Sequence, residues 1–241
     1  MANVLILGGG FGGVAAAEPL AAALSDDHQI TLVSRNDQFL FYPALVRLAF
    51  GKCDIEDVSY DLREAMLDRR IRFVRGEVAR IEPDEKRVRI AHGDFEGDIN
   101  YDYLICALGR RLATERIPGF FEHAHHLLTA EAAMKFGEAA REFKEGHAVI
   151  GYCEGARLAV PVYETVFALA RQLEESGQRR HTRITLISPE PPSSDLGGEE
   201  MARALHEALR KHGVEFLPDF PVNHVSANDV RTADGRRLDY D

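Results

Sequence analysis

The sequence predicts an α/β protein of two Rossmann-like three-layer units, each built on a mainly parallel sheet, plus a small β-meander. Two observations carry this. Val4-Leu5-Ile6-Leu7 runs straight into Gly8-x-Gly10-x-x-Gly13, and Val14-Ala15-Ala16-Ala17-Glu18 reads as the start of a helix. A second pattern of strand, glycine-bearing turn, helix and strand begins at Ala148-Val149-Ile150, with its turn from Gly151 to Gly155. Each reads as the opening of a Rossmann-like βαβ unit.

Between a buried strand and a small-residue helix, the first glycine pattern is a strong signal. Gly8 permits the tight turn, Gly10 lets the backbone approach a pyrophosphate, and Gly13 lets helix and strand pack closely. The N–H groups and positive dipole end of the helix then face the phosphates.

In the first unit the helix is expected from Val14 to about Leu24, with Asp26-Asp27-His28 as the turn into a strand from Gln29 to Val33. Gln38-Phe39-Leu40-Phe41-Tyr42-Pro43 reads as an aromatic loop, followed by a helix around Asp61 to Asp68. Arg72-Phe73-Val74 and Gly76 to Ile81 read as two separate strands, and the Gly93 to Gly97 turn joins a β-hairpin. Tyr103 to Gly109 is a continuous apolar run, which predicts a strand buried on both faces as in a parallel sheet.

From about Leu112 the composition changes, so the two domains are expected at 1–112 and 113–241. The second is predicted to contain a helix from Thr129 to Phe143, with Thr129 as its N-cap and Ala132 at the third helical position. A helix from about Leu158 to Glu175 and a strand from Arg183 to Ile187 complete its βαβ. The helix Glu199 to His212 ends at Gly213, and short strands at Val214 to Leu217 and Val222 to Val225 precede a hairpin around Asp234-Gly235. Leu238-Asp239-Tyr240-Asp241 parallels Tyr101-Asp102-Tyr103, which leads into a strand, so the first domain is expected to be incomplete on its C-terminal side.

The 241 residues carry a net charge of −10, which argues against nucleic acid as a partner, since phosphate backbones need a basic face. Three widely spaced cysteines, Cys53, Cys106 and Cys153, form no disulfide framework, and a reducing cytoplasm is the expected location. No apolar run approaches the roughly 18 residues of a membrane span, and no basic segment precedes the first strand as in a signal peptide. Cys106 reads as core packing. Cys153, in the second turn, is a weak catalytic candidate if a helix N-terminus lowers its pKa; a small residue fitted into a tight turn is the simpler account. His123, His125 and His126 lack the i, i+4 spacing of a helical metal pair, so no metal site is expected.

The glycine fingerprint, the segment Ser34 to Pro43, and Tyr101 to Gly109 together resemble two-dinucleotide-domain flavoproteins, in the branch of sulfide:quinone oxidoreductases and type II NADH dehydrogenases. The resemblance covers essentially the whole chain and is most specific from Ile150 to Leu173 and from Ile184 to Pro191. It implies that Gly8, Gly10, Phe11, Gly12 and Gly13 hold the pyrophosphate of FAD. Ser34 and Arg35 would lie beside the adenosine ribose, Val78 would touch adenine through its backbone, and Pro43 would approach the flavin ring. Ala107-Leu108-Gly109 stands where the family has Ala-Thr-Gly, and Leu108 removes a hydroxyl. Ser34 also stands where the fold rule expects an acid for the ribose hydroxyl.

The resemblance further implies a small-molecule electron donor, a quinone acceptor and peripheral contact with the inner face of a membrane through a segment this chain lacks. Leu158 and Leu128 occupy positions of the redox cysteines of sulfide:quinone oxidoreductases, so the chain is expected not to oxidise sulfide. With part of the flavin wall expected from a returning segment, FAD is expected to bind weakly. NAD(H) is the less favoured second cofactor, because Cys153 replaces the middle glycine of the second turn. The rival readings are an NADH:quinone dehydrogenase and a non-catalytic flavin-fold binding module. The oligomeric state is not legible.

Overall fold

The computed structural model describes residues 1–110, 113, 116–156, 159–190 and 198–241. In chain order these form β1 (Asn3–Leu7), α1 (Phe11–Ala23), β2 (Gln29–Ser34), β3 (Gln38–Leu40), α2 (Leu45–Ala49), β4 (Ser59–Asp61), α3 (Leu62–Leu67), β5 (Arg72–Glu82), β6 (Arg87–Gly93), β7 (Gly97–Asn100) and β8 (Tyr103–Cys106). They continue with α4 (Phe120–His123), α5 (Ala130–Glu142), β9 (Gly146–Gly151), α6 (Val160–Glu175), β10 (Thr182–Ile187), α7 (Glu199–Lys211), β11 (Glu215–Leu217), β12 (Val222–Val225), β13 (Asp229–Thr232) and β14 (Arg237–Asp239). The chain divides into two units, Met1–Phe41 with Ile55–Leu112, and Tyr42–Asp54 with Ala113–Asp241.

The first unit is built on a sheet of order β7-β6-β5-β2-β1-β8. β5, β2, β1 and β8 run parallel, and the β6–β7 hairpin adds antiparallel strands beyond β5. Alternation along β1 sends Val4 and Ile6 to one face with Ile30, Leu32 and Phe73, where Val14 and Ala17 of α1 and Leu62 and Met66 of α3 pack. Leu5 and Leu7 point the other way, with Val33 and Val74 beneath Val88 and Ile90 of the hairpin. β1 is therefore apolar at every position because both faces are covered. Burying each such side chain contributes roughly 1.5–3 kcal/mol.

The structure corrects several expectations here. The two strands expected over residues 72–81 are one, β5, parallel to β2 in its first half and antiparallel to β6 in its second. Register shifts at Gly76/Glu77 and Val78/Arg80 bend it between the two partners. Gly76 allows the bend, because a Cβ there would lie 2.4 Å from Ile90 Cγ2. The aromatic loop contains β3, which pairs antiparallel with β4. β8 is not buried on both faces: Tyr103 is 66% exposed and Cys106 is exposed, because β8 is the sheet's edge strand. Cys106 is thus not a core residue.

Tyr42–Asp54, expected in the first domain, groups with the second unit. Leu45, Val46, Leu48 and Ala49 of α2 are buried, and Phe50 meets Phe136 of α5 edge-on at 5.8 Å. Gly137 makes this packing possible, since a Cβ there would lie 2.1 Å from the Ala49 carbonyl oxygen.

The second unit carries a parallel sheet of order β11-β10-β9, with α6 and α7 as its crossovers. Ile184 and Leu186 face α5, α6 and α7 through Ala140, Val166, Leu169, Leu173 and Leu209. Ile187, Val149 and Leu217 face the antiparallel β12–β13–β14 meander through Phe220, Val225 and Val230. Thr129 caps α5, its side chain accepting from the Ala132 N–H at 3.2 Å.

Candidate functional site

β1 ends between β2 and β8, the point where strand order reverses and where open α/β sheets bind ligands at their carboxyl ends. Two backbone bonds fix the turn that follows: the Gly8 N–H donates to Val33 O at 2.7 Å, and the Ala107 N–H donates to Leu7 O at 2.8 Å. Gly8 has φ +108, and a Cβ on it would lie 2.2 Å from Ala107 O. Only glycine fits both constraints.

The other glycines of the turn divide by what surrounds them. A Cβ on Gly13 would lie 1.7 Å from the Gly8 carbonyl oxygen, so helix and strand meet through bare backbone. A Cβ on Gly9 would lie 2.6 Å from both Ser34 Oγ and Leu62 Cδ1. At Gly10 nothing lies within 4 Å, and Gly12 meets only Ala107 Cβ at 3.4 Å. Gly10 thus presents backbone to open space, while Gly8, Gly9 and Gly13 are each closed by a neighbour.

α1 starts at Phe11, three residues earlier than expected, with Gly10 as its N-cap. Its first internal bond runs from the Val14 N–H to Gly10 O at 3.0 Å. The first turn has no acidic residue and no side-chain cap, so its positive end is not neutralised from within the helix.

Ser34 is buried at the end of β2 behind Gly9, and Arg35 beside it is exposed. Val78 is half-buried in β5, with its side chain against the hairpin core. Ala107 is half-buried, Leu108 is 52% exposed, and Gly109 has φ +73 with open space around it. Gly8 to Gly13, Ser34 and Ala107 therefore come together around one turn. Pro43 lies exposed in the 3-10 turn Tyr42–Ala44 of the second unit.

Sequence reasoning does not bring out a run of rings beside the turn. Phe11 lies 5.5 Å from Phe41 and 5.0 Å from Phe39, and Phe39 stacks on Tyr60 at 4.8 Å. Burial, then the charge of Glu18, pushes the Tyr60 hydroxyl pKa up. A cleft of 260 Å³ opens at the other end of the same strands, against Asn3, Gln29, Arg72 and Asn100, and shares no residue with the turn.

Cys153 is half-buried, and burial pushes its thiol pKa up, away from the thiolate. α6 begins at Val160, seven residues after Cys153. The expected activation is corrected accordingly. Leu158 lies outside the described residues, and Leu128 is 37% exposed. Among the described residues no cluster of three His, Cys, Asp or Glu could hold a metal ion, and no helix is long and apolar enough to cross a membrane.

Residues 2–241 match the family described as pyridine nucleotide-disulphide oxidoreductase, and the chain belongs to that family. It is 34% identical over 233 residues to the sulfide-quinone reductase of Aquifex aeolicus (strain VF5), covering 95% of this chain and 53% of that protein. It is 25% identical over 233 residues to the type II NADH:quinone oxidoreductase of Staphylococcus haemolyticus (strain JCSC1435), covering 91% of this chain and 57% of that protein. The crystal structure of the sulfide:quinone oxidoreductase from Aquifex aeolicus superposes with a TM-score of 0.89 at 28% identity, over 99% of this chain and 56% of that one. The chain spans about half the length of the curated relatives it matches.

Proposed function

We propose that the chain is the nucleotide-binding part of an FAD-dependent quinone oxidoreductase, with FAD held at the Gly8–Gly13 turn. One observation carries this: at Gly10 the backbone is uncovered, whereas Gly8, Gly9 and Gly13 are each filled by a neighbour. Packing does not require a glycine at position 10, whose φ of −87 is open to any residue and whose surroundings are empty. Bound FAD supplies two-electron chemistry, and the protein supplies position and electrostatics.

The roles of the residues follow from their places. The α1 N-terminus offers N–H donors and a positive dipole end to the pyrophosphate. Ser34 offers a hydroxyl at the ribose position without a charge, and Arg35 adds a cation beside it. Ala107 and Gly109 let backbone approach the cofactor, while Leu108 gives an apolar contact in place of a hydroxyl. The similarity to two kinds of quinone reductase supports a quinone as electron acceptor. Leucines at 158 and 128 support a route that forms no persulfide, since leucine offers no sulfur.

Titration with FAD, followed by flavin fluorescence, tests the proposal. Saturable binding that Gly10→Val abolishes is expected. Binding unchanged in that variant would move the cofactor elsewhere.

A further inference from the structure

We infer that the second glycine turn is closed to a nicotinamide dinucleotide by a latch between Tyr152 and Ser188; on the flavin reading above, the electron donor is then a molecule without a pyrophosphate. The family description leads one to expect such a dinucleotide at the carboxyl end of β9. The residues there do not fit it.

The two turns begin alike and then diverge. Gly151, like Gly8, leaves no room for a side chain: a Cβ on it would lie 2.3 Å from Ile187 Cγ1 and 2.7 Å from Ile187 O. Two residues on, the first turn has Gly10 with nothing within 4 Å of an added Cβ. The second has Cys153, a half-buried residue whose side chain stands at the position where the dinucleotide-binding turn requires a glycine for the backbone to approach a pyrophosphate. α1 starts at Phe11, three residues after Gly8, whereas α6 starts at Val160, nine after Gly151. Pro161 in the first turn of α6 also removes a donor. The Ala156 N–H is used within the turn, donating to Cys153 O at 3.1 Å.

The latch ties the turn after β9 to the residue that follows its neighbouring strand β10. The Tyr152 hydroxyl meets Ser188 Oγ at 2.7 Å, just past the end of β10. Ser188 Oγ donates in turn to Glu190 O at 2.5 Å. Ser188 is 1% exposed and fixed by its backbone: its N–H donates to Leu217 O at 3.1 Å, and its carbonyl accepts from the Phe220 N–H at 2.8 Å. Tyr152 is therefore tied to a point that cannot yield without disturbing β11. Glu154 and Glu190, both exposed on these two loops, add negative charge where a pyrophosphate would bring more.

NADH titration of the Gly10→Val chain tests this, because that variant leaves only the second turn for a dinucleotide. No saturable quenching of NADH fluorescence is expected. Saturable binding that Cys153→Trp removes would overturn the inference. A triple variant, Tyr152→Ala with Cys153→Gly and Glu154→Gly in the Gly10→Val background, is expected to gain roughly tenfold or more in NADH affinity. No gain in a variant with native circular dichroism would show that these residues are not the barrier. FAD binding to the unaltered chain is read separately, so failure of the flavin proposal leaves a different trace.

Discussion

The carbonyl oxygen of Gly8 occupies the space that a side chain on Gly13 would need, the two being 1.7 Å apart if a Cβ is built. The contact joins the end of β1 to the first turn of α1. Gly13→Ala should therefore cost at least about 3 kcal/mol, more than an ordinary overpacked methyl, because backbone on both sides must move. Urea denaturation measures this. A loss below about 1 kcal/mol would mean that the helix can slide off the strand.

Gly10→Val makes the opposite case. Its φ of −87 suits any residue and its surroundings are empty, so stability should change by less than about 1 kcal/mol. FAD binding should vanish while the fold stays intact. The pair of variants separates a glycine needed by the fold from one that the fold does not require.

Phe39 is 7% exposed and lies between Phe11 and Tyr60. Phe39→Ala should cost about 3–5 kcal/mol. Phe39→Leu should recover most of that stability while weakening FAD binding, because Phe11 then loses one of the two rings it packs against. Equal FAD affinity in Phe39→Leu and the parent would confine the ring to packing.

Cysteine labelling checks the correction at β8. Cys106 is exposed, whereas Cys153 is half-buried with its thiol pKa raised by burial. Iodoacetamide at neutral pH should modify Cys106 well before Cys153, as read by peptide mass spectrometry. Earlier modification of Cys153 would restore it as a reactive thiol.

Asp229, between β12 and β14, predicts an acid-sensitive element. Hydrogen bonding from Arg231 holds its carboxyl pKa below the usual carboxylate range, with Ser226 and Arg237 contributing. A carboxylate depressed in the folded state stabilises above its unfolded pKa of about 3.9 and loses that contribution as pH falls through the folded value. Asp229→Asn should lower the melting temperature at pH 7 and flatten its decline below about pH 4. Parallel pH profiles for the two proteins would contradict this.

The first turn was legible as a turn because its signals are local: a strand before, a small-residue helix after, and a fixed spacing that sets Gly13 against Gly8. The contacts of Gly8 with Ala107 and of Gly9 with Ser34 and Leu62 are not local and were not legible. Thr129 and its bond to Ala132 were legible for the same reason, since a cap is a contact across three residues. What escaped depends on partners distant in sequence. β5 is one strand because β2 and β6 pair with its two halves, and neither is visible from residues 72–82. β8 looks like a central strand by composition, but its place at the edge is a matter of topology. The Tyr152–Ser188 bond joins residues 36 apart and left no pattern to read.

That edge has a further consequence. Among the described residues, β8 pairs along one side with β1 only, so its other side offers a row of N–H and C=O groups flanked by Tyr103 and Leu108. Such a row is a template: any extended segment laid along it gains a hydrogen-bonded ladder with no change of shape in the sheet. The same strand whose end supports the Gly8 turn is thus the place where one more strand, from whatever source, would extend the sheet beside that turn.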